Sequence, residues 1–224
     1  MELGLTDYGE TYRLQQQVAS RHKGEMDRDV ILINEHHPVF TLGRRGGREN
    51  LMVPESFLKD RGVQVVHIER GGDITYHGPG QLVIYPILKL REAQLRVAEY
   101  VWLLEEIMLR FAAHCGVTAG RDSRNHGIWV KNAKLGSVGI AIRHGISFHG
   151  LALNCNLFME PFSWVNPCGL TGVKMTSLSQ ETGQDVSLGP LLPVLRQLLE
   201  ELFGRTLSLQ NKDEFYGWLY PTKN

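Results

Sequence analysis

The sequence predicts an α/β fold of the α+β type, with one mixed, largely antiparallel sheet flanked by helices. Three observations favour it. Short apolar, β-rich runs separated by polar turns recur along the chain. Two amphipathic helical patterns interrupt them, near residues 94–115 and 190–203. A chain of 224 residues, 42% of them hydrophobic, is large enough for one substantial core and short for two. We therefore expect residues 1–224 to form a single domain.

The first half of the chain alternates one weak helical pattern with apolar strands. The weak helical pattern runs from Tyr8 to His22. Short apolar runs rich in β-branched residues predict strands at Val30–Asn34, Val39–Leu42, Val63–Ile68 and Leu82–Ile87. His36, His37 and Pro38 form the turn between the first two strands.

The second half contains two strong helices and a group of hairpins. Apolar residues three or four apart predict a helix from Gln94 to Cys115, with a buried face of Ala98, Val101, Leu104, Met108, Phe111 and Cys115. Strands joined by short connections, which favour antiparallel hairpins, are predicted at Gly127–Val130, Lys134–Arg143 and Ile146–Asn156. Met159–Gly172 is irregular. A last helix spans Pro190–Phe203, with a buried stripe of Leu191, Leu195, Leu198 and Leu202.

Composition argues against several classes of partner. The 24 basic and 24 acidic residues balance to a net charge of zero, whereas a nucleic-acid-binding domain needs a basic face. No apolar run approaches the length of a membrane span, and the first residues lack the apolar segment of a secretory signal. Three cysteines without Cys-x-x-Cys spacing fit a reducing compartment. We expect a cytoplasmic protein that binds neither nucleic acid nor membrane.

The segment Arg70–Gly80 is the most distinctive stretch of the chain. It reads Arg-Gly-Gly-Asp-Ile-Thr-Tyr-His-Gly-Pro-Gly, so five of its eleven residues are Gly or Pro. Glycine lets backbone groups approach a ligand closely, and the remaining residues supply a carboxylate, a hydroxyl, a phenol and an imidazole. Because strand-like runs flank it on both sides, we predict a ligand-contacting loop on a rigid scaffold.

Cys168 is the strongest candidate for a nucleophile. Cys115 and Cys155 lie within a helical and a strand pattern, where cysteine usually packs as a small hydrophobe. Cys168 lies instead in an irregular segment and is followed by a glycine. A thiolate needs a partner that stabilises its charge, and the available candidates are His77, His126, His149 and Lys134.

Metal and nucleotide sites are not predicted. The histidines show none of the spacings typical of zinc ligands, such as His-Glu-x-x-His. The phosphate-binding pattern G-x-x-x-x-G-K-[ST] is also missing, although the Gly43–Gly47 turn, which contains Arg44 and Arg45, has a composition found in anion-binding loops. We expect no metal and no cofactor.

Five segments in a fixed order resemble the lipoyl(octanoyl) transferase family, the octanoyltransferases of lipoate biosynthesis. The segments are His37–Arg44, Arg70–Gln81, Lys134–Gly139, Ser147–Asn154 and Asn166–Gly169, and together they span most of the chain. The resemblance implies a fold related to the catalytic domain of biotin and lipoate ligases. It also implies the transfer of an octanoyl group through a thioester on the enzyme.

The resemblance assigns roles to individual residues. It places the acyl-accepting cysteine at Cys168 and the lysine of the active site at Lys134. Acyl binding is assigned to three segments, whose residues are Arg70, Gly71, Gly72, Asp73, Ile74, Thr75, Tyr76, His77, Ser137, Val138, Gly139, Gly150, Leu151 and Ala152. We expect Tyr76 and His77 to frame the carbonyl end of the acyl group.

The implied partners follow from the same resemblance. The donor would be octanoyl-acyl carrier protein. The acceptors would be the lipoyl domains of 2-oxoacid dehydrogenase E2 subunits and the glycine cleavage H protein. Three alternatives stay open at this point: an ATP-dependent lipoate or biotin ligase, a noncatalytic acyl-binding or carrier-docking protein, and a cysteine hydrolase. A ligase would need no loop thiol, and a noncatalytic protein would tolerate the loss of Cys168.

Overall fold

The computed structural model describes residues 1–21, 28–166 and 172–220. Its strands are β1 Glu2–Thr6, β2 Val30–His36, β3 Val39–Leu42, β4 Gln64–His67, β5 Ile74–His77, β6 Gln81–Ile87, β7 Gly120–Arg121, β8 Gly127–Val130, β9 Ala133–Arg143, β10 Ile146–Asn154 and β11 Lys174–Met175. Its α-helices are α1 Tyr8–Arg21, α2 Glu55–Asp60, α3 Val97–His114, α4 Leu178–Thr182, α5 Leu192–Phe203 and α6 Lys212–Leu219. Short 3₁₀ helices lie at Arg48–Asn50, Glu160–Trp164 and Gly189–Leu191.

These strands form a large sheet and a small one. The large sheet has the order β1-β2-β6-β10-β9-β8-β7, with β11 added beside β9, and the small sheet has the order β4-β3-β5. Most neighbours are antiparallel, while β1–β2, β9–β11 and β3–β4 are parallel. The predicted mixed and largely antiparallel architecture is therefore confirmed.

Helices cover both faces of the large sheet. Alternation along β6 directs Leu82 and Ile84 into the core beneath α3 and α5, and Val83 and Tyr85 into the core beneath α1 and α6. A third core fills the space under the small sheet and includes Phe40. Because β6 is buried on both faces, it reads in the sequence as a continuous apolar run rather than an alternating one.

Several helix boundaries in the structure differ from those that the sequence patterns predict. Helix α3 begins at Val97 rather than Gln94, and at its start the Arg96 amide donates to the Glu99 carboxylate at 2.9 Å. Ala98, predicted on the buried face, is exposed, and Tyr100 takes the buried position. Helix α5 begins at Leu192, after a 3₁₀ turn that contains Pro190.

The buried stripe of α5 also differs from the predicted one. Leu195 and Leu199 are fully buried, whereas Leu191, Leu198 and Leu202 are only partly buried against the same core. The predicted first helix ends at Arg21, and His22 lies outside the described residues. In the part of the chain that the structure describes, no helix combines the length and the apolar character needed to cross a membrane.

The residues of the predicted loop Arg70–Gly80 are partly a strand. Ile74–His77 forms β5, which pairs antiparallel with β3 in the small sheet. The glycines on both sides hide this strand from a pattern search, because each Gly and Pro reads as a turn signal. The loop proper is therefore shorter than predicted and consists of two connections on either side of β5.

Candidate active site

A narrow cleft lies where the two sheets meet. Its empty volume, counted to the open mouth, is about 520 Å³. The residues that line it are Tyr8, Arg70, Gly71, Gly72, Asp73, Thr75, His77, Val83, Tyr85, Asn125, Lys134, Ser137, Val138, Gly139, His149, Gly150, Leu151 and Ala152. The structure thus brings together, around one cavity, segments that are far apart in the sequence.

One wall of the cleft is the segment that leads into β5. The Arg70 side chain is buried, and its guanidinium donates to the Thr41 carbonyl at 2.7 Å, to the Thr41 hydroxyl at 2.9 Å and to the Gly71 carbonyl at 3.1 Å. The Gly71 amide donates to the carbonyl of Ile140 in β9 at 2.8 Å. These bonds fix the wall to β3 on one side and to β9 on the other.

Alternation along β5 decides which of its side chains reach the cleft. Thr75 and His77 line it, whereas Ile74 and Tyr76 point into the core under the small sheet. The Tyr76 ring packs against Phe40, with ring centroids 5.2 Å apart. Of the two residues expected to frame the acyl carbonyl, His77 therefore lines the cleft and Tyr76 packs behind its wall.

The opposite wall is the hairpin of β9 and β10. Antiparallel pairing sets Gly139 opposite Gly150, Val138 opposite Leu151, and Ser137 opposite Ala152. The two segments assigned separately to acyl binding are therefore cross-strand partners. All six residues line the cleft, as do the predicted residues Arg70, Gly71, Gly72, Asp73, Thr75, His77 and Lys134.

Lys134 enters the cleft from β9 and is fully buried. Its Nζ donates to the carbonyl of His126 at 2.9 Å and lies 5.2 Å from the centre of the Trp129 ring. A carbonyl oxygen and an aromatic face both favour an ammonium over a neutral amine. Lys134 is therefore a buried residue of the cleft and not an exposed lysine at the edge of the sheet.

Two histidines, His77 and His149, line the cleft. Burial lowers the pKa of His77 well below its ordinary value, and burial also lowers the pKa of His149. Both imidazoles are therefore neutral at pH 7. Of the candidates for stabilising a thiolate that line the cleft, these two supply no positive charge, which leaves Lys134.

A polar network lies behind the cleft. His77 Nδ1 lies 2.7 Å from Gln81 Oε1, and the Gln81 amide donates to Asn154 Oδ1 at 2.9 Å. Asn154 in turn donates to the Thr176 carbonyl at 2.9 Å, and the Thr176 amide donates to the Lys134 carbonyl at 2.9 Å. These hydrogen bonds connect the β5 wall to the strand that carries Lys134.

His149 stands out because of its backbone. Its φ of +57° is in the left-handed region, which non-glycine residues seldom adopt. The ring stacks on Tyr12 at 5.6 Å, and Nε2 lies 3.6 Å from Glu69 Oε2. The adjacent His149 imidazole and the hydrogen bond that the Tyr12 hydroxyl donates lower the pKa of Glu69 to about 2, so a carboxylate faces the buried imidazole.

The candidate nucleophile Cys168 lies outside the described residues. The described chain on either side of it is tied to the cleft. The Asn166 amide donates to the Asn50 carbonyl at 2.8 Å, and the Asn50 side chain donates to both carboxylate oxygens of Asp73 at 3.0 Å. On the other side, Met175 pairs with Lys134 in β11 and β9.

The two described cysteines are poor nucleophiles. Cys155 is fully buried, and burial raises its pKa far above the ordinary value. Cys115 is partly buried at the end of α3, and burial raises its pKa as well. Both thiols therefore stay protonated at neutral pH, as their predicted packing roles require.

Four residues of the cleft escaped the sequence analysis: Tyr8, Val83, Tyr85 and Asn125. Val83 and Tyr85 share one face of β6, so the period of two could have placed them together. Their apolar and aromatic character made them indistinguishable from ordinary core residues. Among the residues that the structure describes, no cluster of histidine, cysteine and carboxylate side chains is arranged to hold a metal ion.

Comparison with protein families decides the relationship. The model of the lipoyl protein ligase A/B catalytic domain matches residues 7–200. The chain belongs to this family. An octanoyltransferase of Desulfotalea psychrophila is 53% identical over 207 residues, covering 91% of this chain and 93% of the relative. An octanoyltransferase of Syntrophobacter fumaroxidans is 42% identical over 205 residues, covering 92% and 90%. The resemblance drawn from the five sequence segments is thereby confirmed.

Solved structures of lipoate and biotin protein ligases share the fold at low sequence identity. A bipartite lipoate protein ligase from Thermoplasma acidophilum superposes with a TM-score of 0.71 at 16% identity, covering 96% of this chain and 88% of its own. A biotin protein ligase from Aquifex aeolicus gives a TM-score of 0.54 at 11% identity, covering 91% and 69%. The expected similarity of the fold to the catalytic domain of lipoate and biotin ligases is confirmed.

Proposed function

We propose that this octanoyltransferase moves an octanoyl group from octanoyl-acyl carrier protein to a lysine of lipoyl domains, through a thioester on Cys168. The observation that carries the proposal is the buried Lys134 side chain, which lines a cleft whose histidines are neutral and donates from Nζ to a carbonyl oxygen. The octanoyltransferases related to this chain support the choice of acyl group and of reaction.

The first half-reaction forms the acyl-enzyme. The Cys168 thiolate attacks the carbonyl carbon of the donor thioester, and the bond from that carbon to the donor sulfur breaks. The donor leaves as a thiol after it takes up a proton. Because one thioester replaces another, the step needs no ATP. The Lys134 ammonium stabilises the thiolate and supplies the proton to the leaving sulfur.

The second half-reaction consumes the acyl-enzyme. The amine of the acceptor lysine attacks the thioester carbonyl, an amide bond forms, and Cys168 leaves as a thiolate. The attacking nitrogen must lose a proton, which Lys134 accepts once it has protonated the first leaving group.

The cleft suits a medium-length saturated chain. The apolar side chains that line it on the face of the sheet shared with Val83 include Ala152 of the hairpin wall. Each buried methylene contributes about 0.8 kcal/mol, so an eight-carbon chain gains substantial affinity while one carbon more or less changes it only modestly. We assign Arg70, Gly71, Gly72, Asp73, Thr75, His77, Ser137, Val138, Gly139, Gly150, Leu151 and Ala152 to the acyl site, with Ile74 and Tyr76 behind the wall.

The acceptors that we propose are the lipoyl domains of 2-oxoacid dehydrogenase E2 subunits and the glycine cleavage H protein. The family supports an acyl donor and a lipoyl-domain acceptor in general terms. The rival reaction is the ATP-dependent activation of a free acid, as in a ligase. The two differ in whether an acyl-enzyme forms without ATP.

Intact-protein mass spectrometry tests the proposal. The wild-type protein and the Cys168→Ser and Cys115→Ser variants are mixed with octanoyl-acyl carrier protein in the absence of ATP. We expect an octanoyl adduct on the wild type and on Cys115→Ser, and none on Cys168→Ser. An adduct that survives in Cys168→Ser, or acylation that requires ATP and free octanoate, contradicts the proposal.

A further inference from the structure

A buried carboxylate outside the cleft has no part in the reaction as described so far. Glu105 lies on α3, and its side chain is 8% exposed. Its Oε2 accepts from Arg121 Nε at 3.0 Å. Its Oε1 accepts from the backbone amide of Gly127 at 2.9 Å and lies 3.2 Å from His126 Nδ1. A buried charge of this kind is costly unless its hydrogen bonds compensate it.

The Gly127 amide and the His126 carbonyl belong to the same peptide group. One end of that peptide donates to Glu105, and the other end accepts from Lys134 Nζ at 2.9 Å. A carboxylate, a peptide dipole and an ammonium therefore form a hydrogen-bonded series. Hydrogen bonds in such a series polarise one another, so the carboxylate makes the His126 carbonyl a stronger acceptor.

We propose that Glu105 is a positioning residue, which holds the His126–Gly127 peptide so that its carbonyl fixes the Lys134 ammonium in the cleft. The inference rests on the proposed function of Lys134. Glu105 touches neither substrate nor reacting atoms, and it acts through the peptide alone. Helix α3 thereby reaches the active site through a backbone group rather than through a side chain.

The packing around this peptide leaves it little freedom. Gly127 has a φ of +132°, and a Cβ placed on it would lie 3.0 Å from Lys134 Cε and 2.1 Å from the Gly136 carbonyl oxygen. Only glycine allows the peptide to approach β9 so closely. Movement of residues 126–127 would therefore be transmitted directly to the lysine side chain.

A purely structural role for Glu105 would arise from its ion pair with Arg121. Glu106 offers a matched comparison, because its Oε2 accepts from the same Arg121 at 2.8 Å. Glu106 also pairs with Arg110 at 3.0 Å. The contacts of Glu106 are to these arginines, whereas Glu105 bonds the peptide that holds Lys134. Loss of Glu106 thus weakens the ion pairs of Arg110 and Arg121 and leaves the hydrogen bond between Glu105 and the His126–Gly127 peptide intact.

The test compares Glu105→Ala, Glu105→Gln and Glu106→Ala in the full-length protein. The first readout is the ¹⁵Nζ–¹H signal of the Lys134 ammonium, assigned by its loss in Lys134→Met, because a buried and hydrogen-bonded ammonium exchanges slowly with water. The second is octanoyl transfer, separated into kcat and the donor KM. Circular dichroism and thermal unfolding monitor the fold.

We expect Glu105→Ala to abolish the Lys134 signal and to lower kcat roughly tenfold or more, with the donor KM within about twofold. Glu105→Gln, whose amide oxygen can still accept from Gly127, should retain part of the Lys134 signal and part of the wild-type kcat. Glu106→Ala should keep the signal and the wild-type kcat. A folded Glu105→Ala with an intact signal, or an equal loss in Glu106→Ala, overturns the inference.

Failure of the proposed function has a different signature. If Lys134→Met turns over at the wild-type rate, Lys134 has no role in the chemistry, whatever the Glu105 variants do. If Glu105→Ala does not fold, Glu105→Leu decides, because leucine has a similar size and accepts no hydrogen bond from Gly127: a wild-type ammonium signal together with a wild-type kcat overturns the inference. The ammonium signal itself is independent of turnover.

Discussion

Replacing Gly150 by alanine tests the geometry of the cleft most sharply. Gly150 lies in β10 opposite Gly139, and it lines the cleft while its backbone faces β6. A Cβ placed on it would lie 2.1 Å from the carbonyl oxygen of Ile84 and 2.9 Å from Pro86 Cδ. Because the nearest atom belongs to the backbone of a fully buried strand, it cannot move aside as a flexible side chain would.

The size of the effect follows from that distance. Restoring ordinary contact requires β10 and β6 to separate by roughly 1 Å, since overpacking is relieved only by backbone movement in a well-packed core. Overpacking costs about 1–3 kcal/mol, and each weakened ladder hydrogen bond adds about 1 kcal/mol. We expect a net loss of about 3 kcal/mol in the free energy of unfolding. For a domain of this size, that loss lowers Tm by about 10 °C.

Urea and thermal unfolding measure this loss directly. Gly120→Ala is the matched control, because Gly120 also lies in a strand, β7, and nothing lies within 4 Å of a Cβ placed on it. We expect the control to change stability by less than about 0.5 kcal/mol. If the Tm of Gly150→Ala lies within 2 °C of the wild-type value, the loss in the free energy of unfolding is below about 1 kcal/mol. That result would refute the close approach of β10 to β6.

Three further predictions concern individual side chains. Lys134→Met should lower transfer by about 100-fold or more, the usual contribution of a general acid–base, while circular dichroism stays that of the wild type; near-normal steady-state turnover would contradict the role of Lys134. Arg70→Lys should cost about 2–3 kcal/mol in urea unfolding and raise the donor KM, because an ammonium cannot replace the guanidinium bonds to both Thr41 oxygens; unchanged values for both would show that those bonds are dispensable. Burial lowers the pKa of His36 from 6.5 to about 4, so its contribution to stability is complete above pH 6.5 and is lost as the pH falls to 4. Between pH 7 and pH 4, the free energy of unfolding of His36→Gln should therefore fall by about 3 kcal/mol less than that of the wild type. An equal fall in both proteins would refute this assignment.

The hairpin wall of the cleft was predictable because its signals are local. Two apolar runs joined by His144 and Gly145 indicate a tight turn, and both residues adopt the positive φ that such turns require, 53° and 78°. The turn sets the register, and the register places Gly139 opposite Gly150. The segments assigned to acyl binding by resemblance thus meet for a reason already present in the sequence.

The small sheet and the polar network were not predictable from local pattern. Strand β5 is framed by glycines, and its pairing with β3 depends on residues more than thirty positions apart. Tyr8 reaches the cleft from the start of a helix with a weak pattern, and the role of Glu105 requires α3 to pack beside β8. Long-range packing decides these contacts, and periodicity carries no information about it.

Glycine was the most ambiguous signal in the sequence. The glycines around the cleft were expected to admit a ligand, and Gly71 and Gly72 do line it. At Gly150 the structure gives another reason, because the backbone of β6 occupies the space that a Cβ would need. Glycine is needed both where the backbone approaches a ligand and where two strands approach each other. The sequence alone does not distinguish these two cases, whereas the structure does.

A single-turnover transfer experiment tests the central claim most directly. The octanoyl-enzyme is formed with octanoyl-acyl carrier protein, freed of donor, and mixed with an unmodified lipoyl domain in the absence of ATP. Intact mass follows both proteins over time. The account predicts that the octanoyl group leaves Cys168 and appears on the lipoyl domain in equal amounts. An adduct that persists on the enzyme, or an acceptor that gains the octanoyl group only when ATP is added, would contradict it.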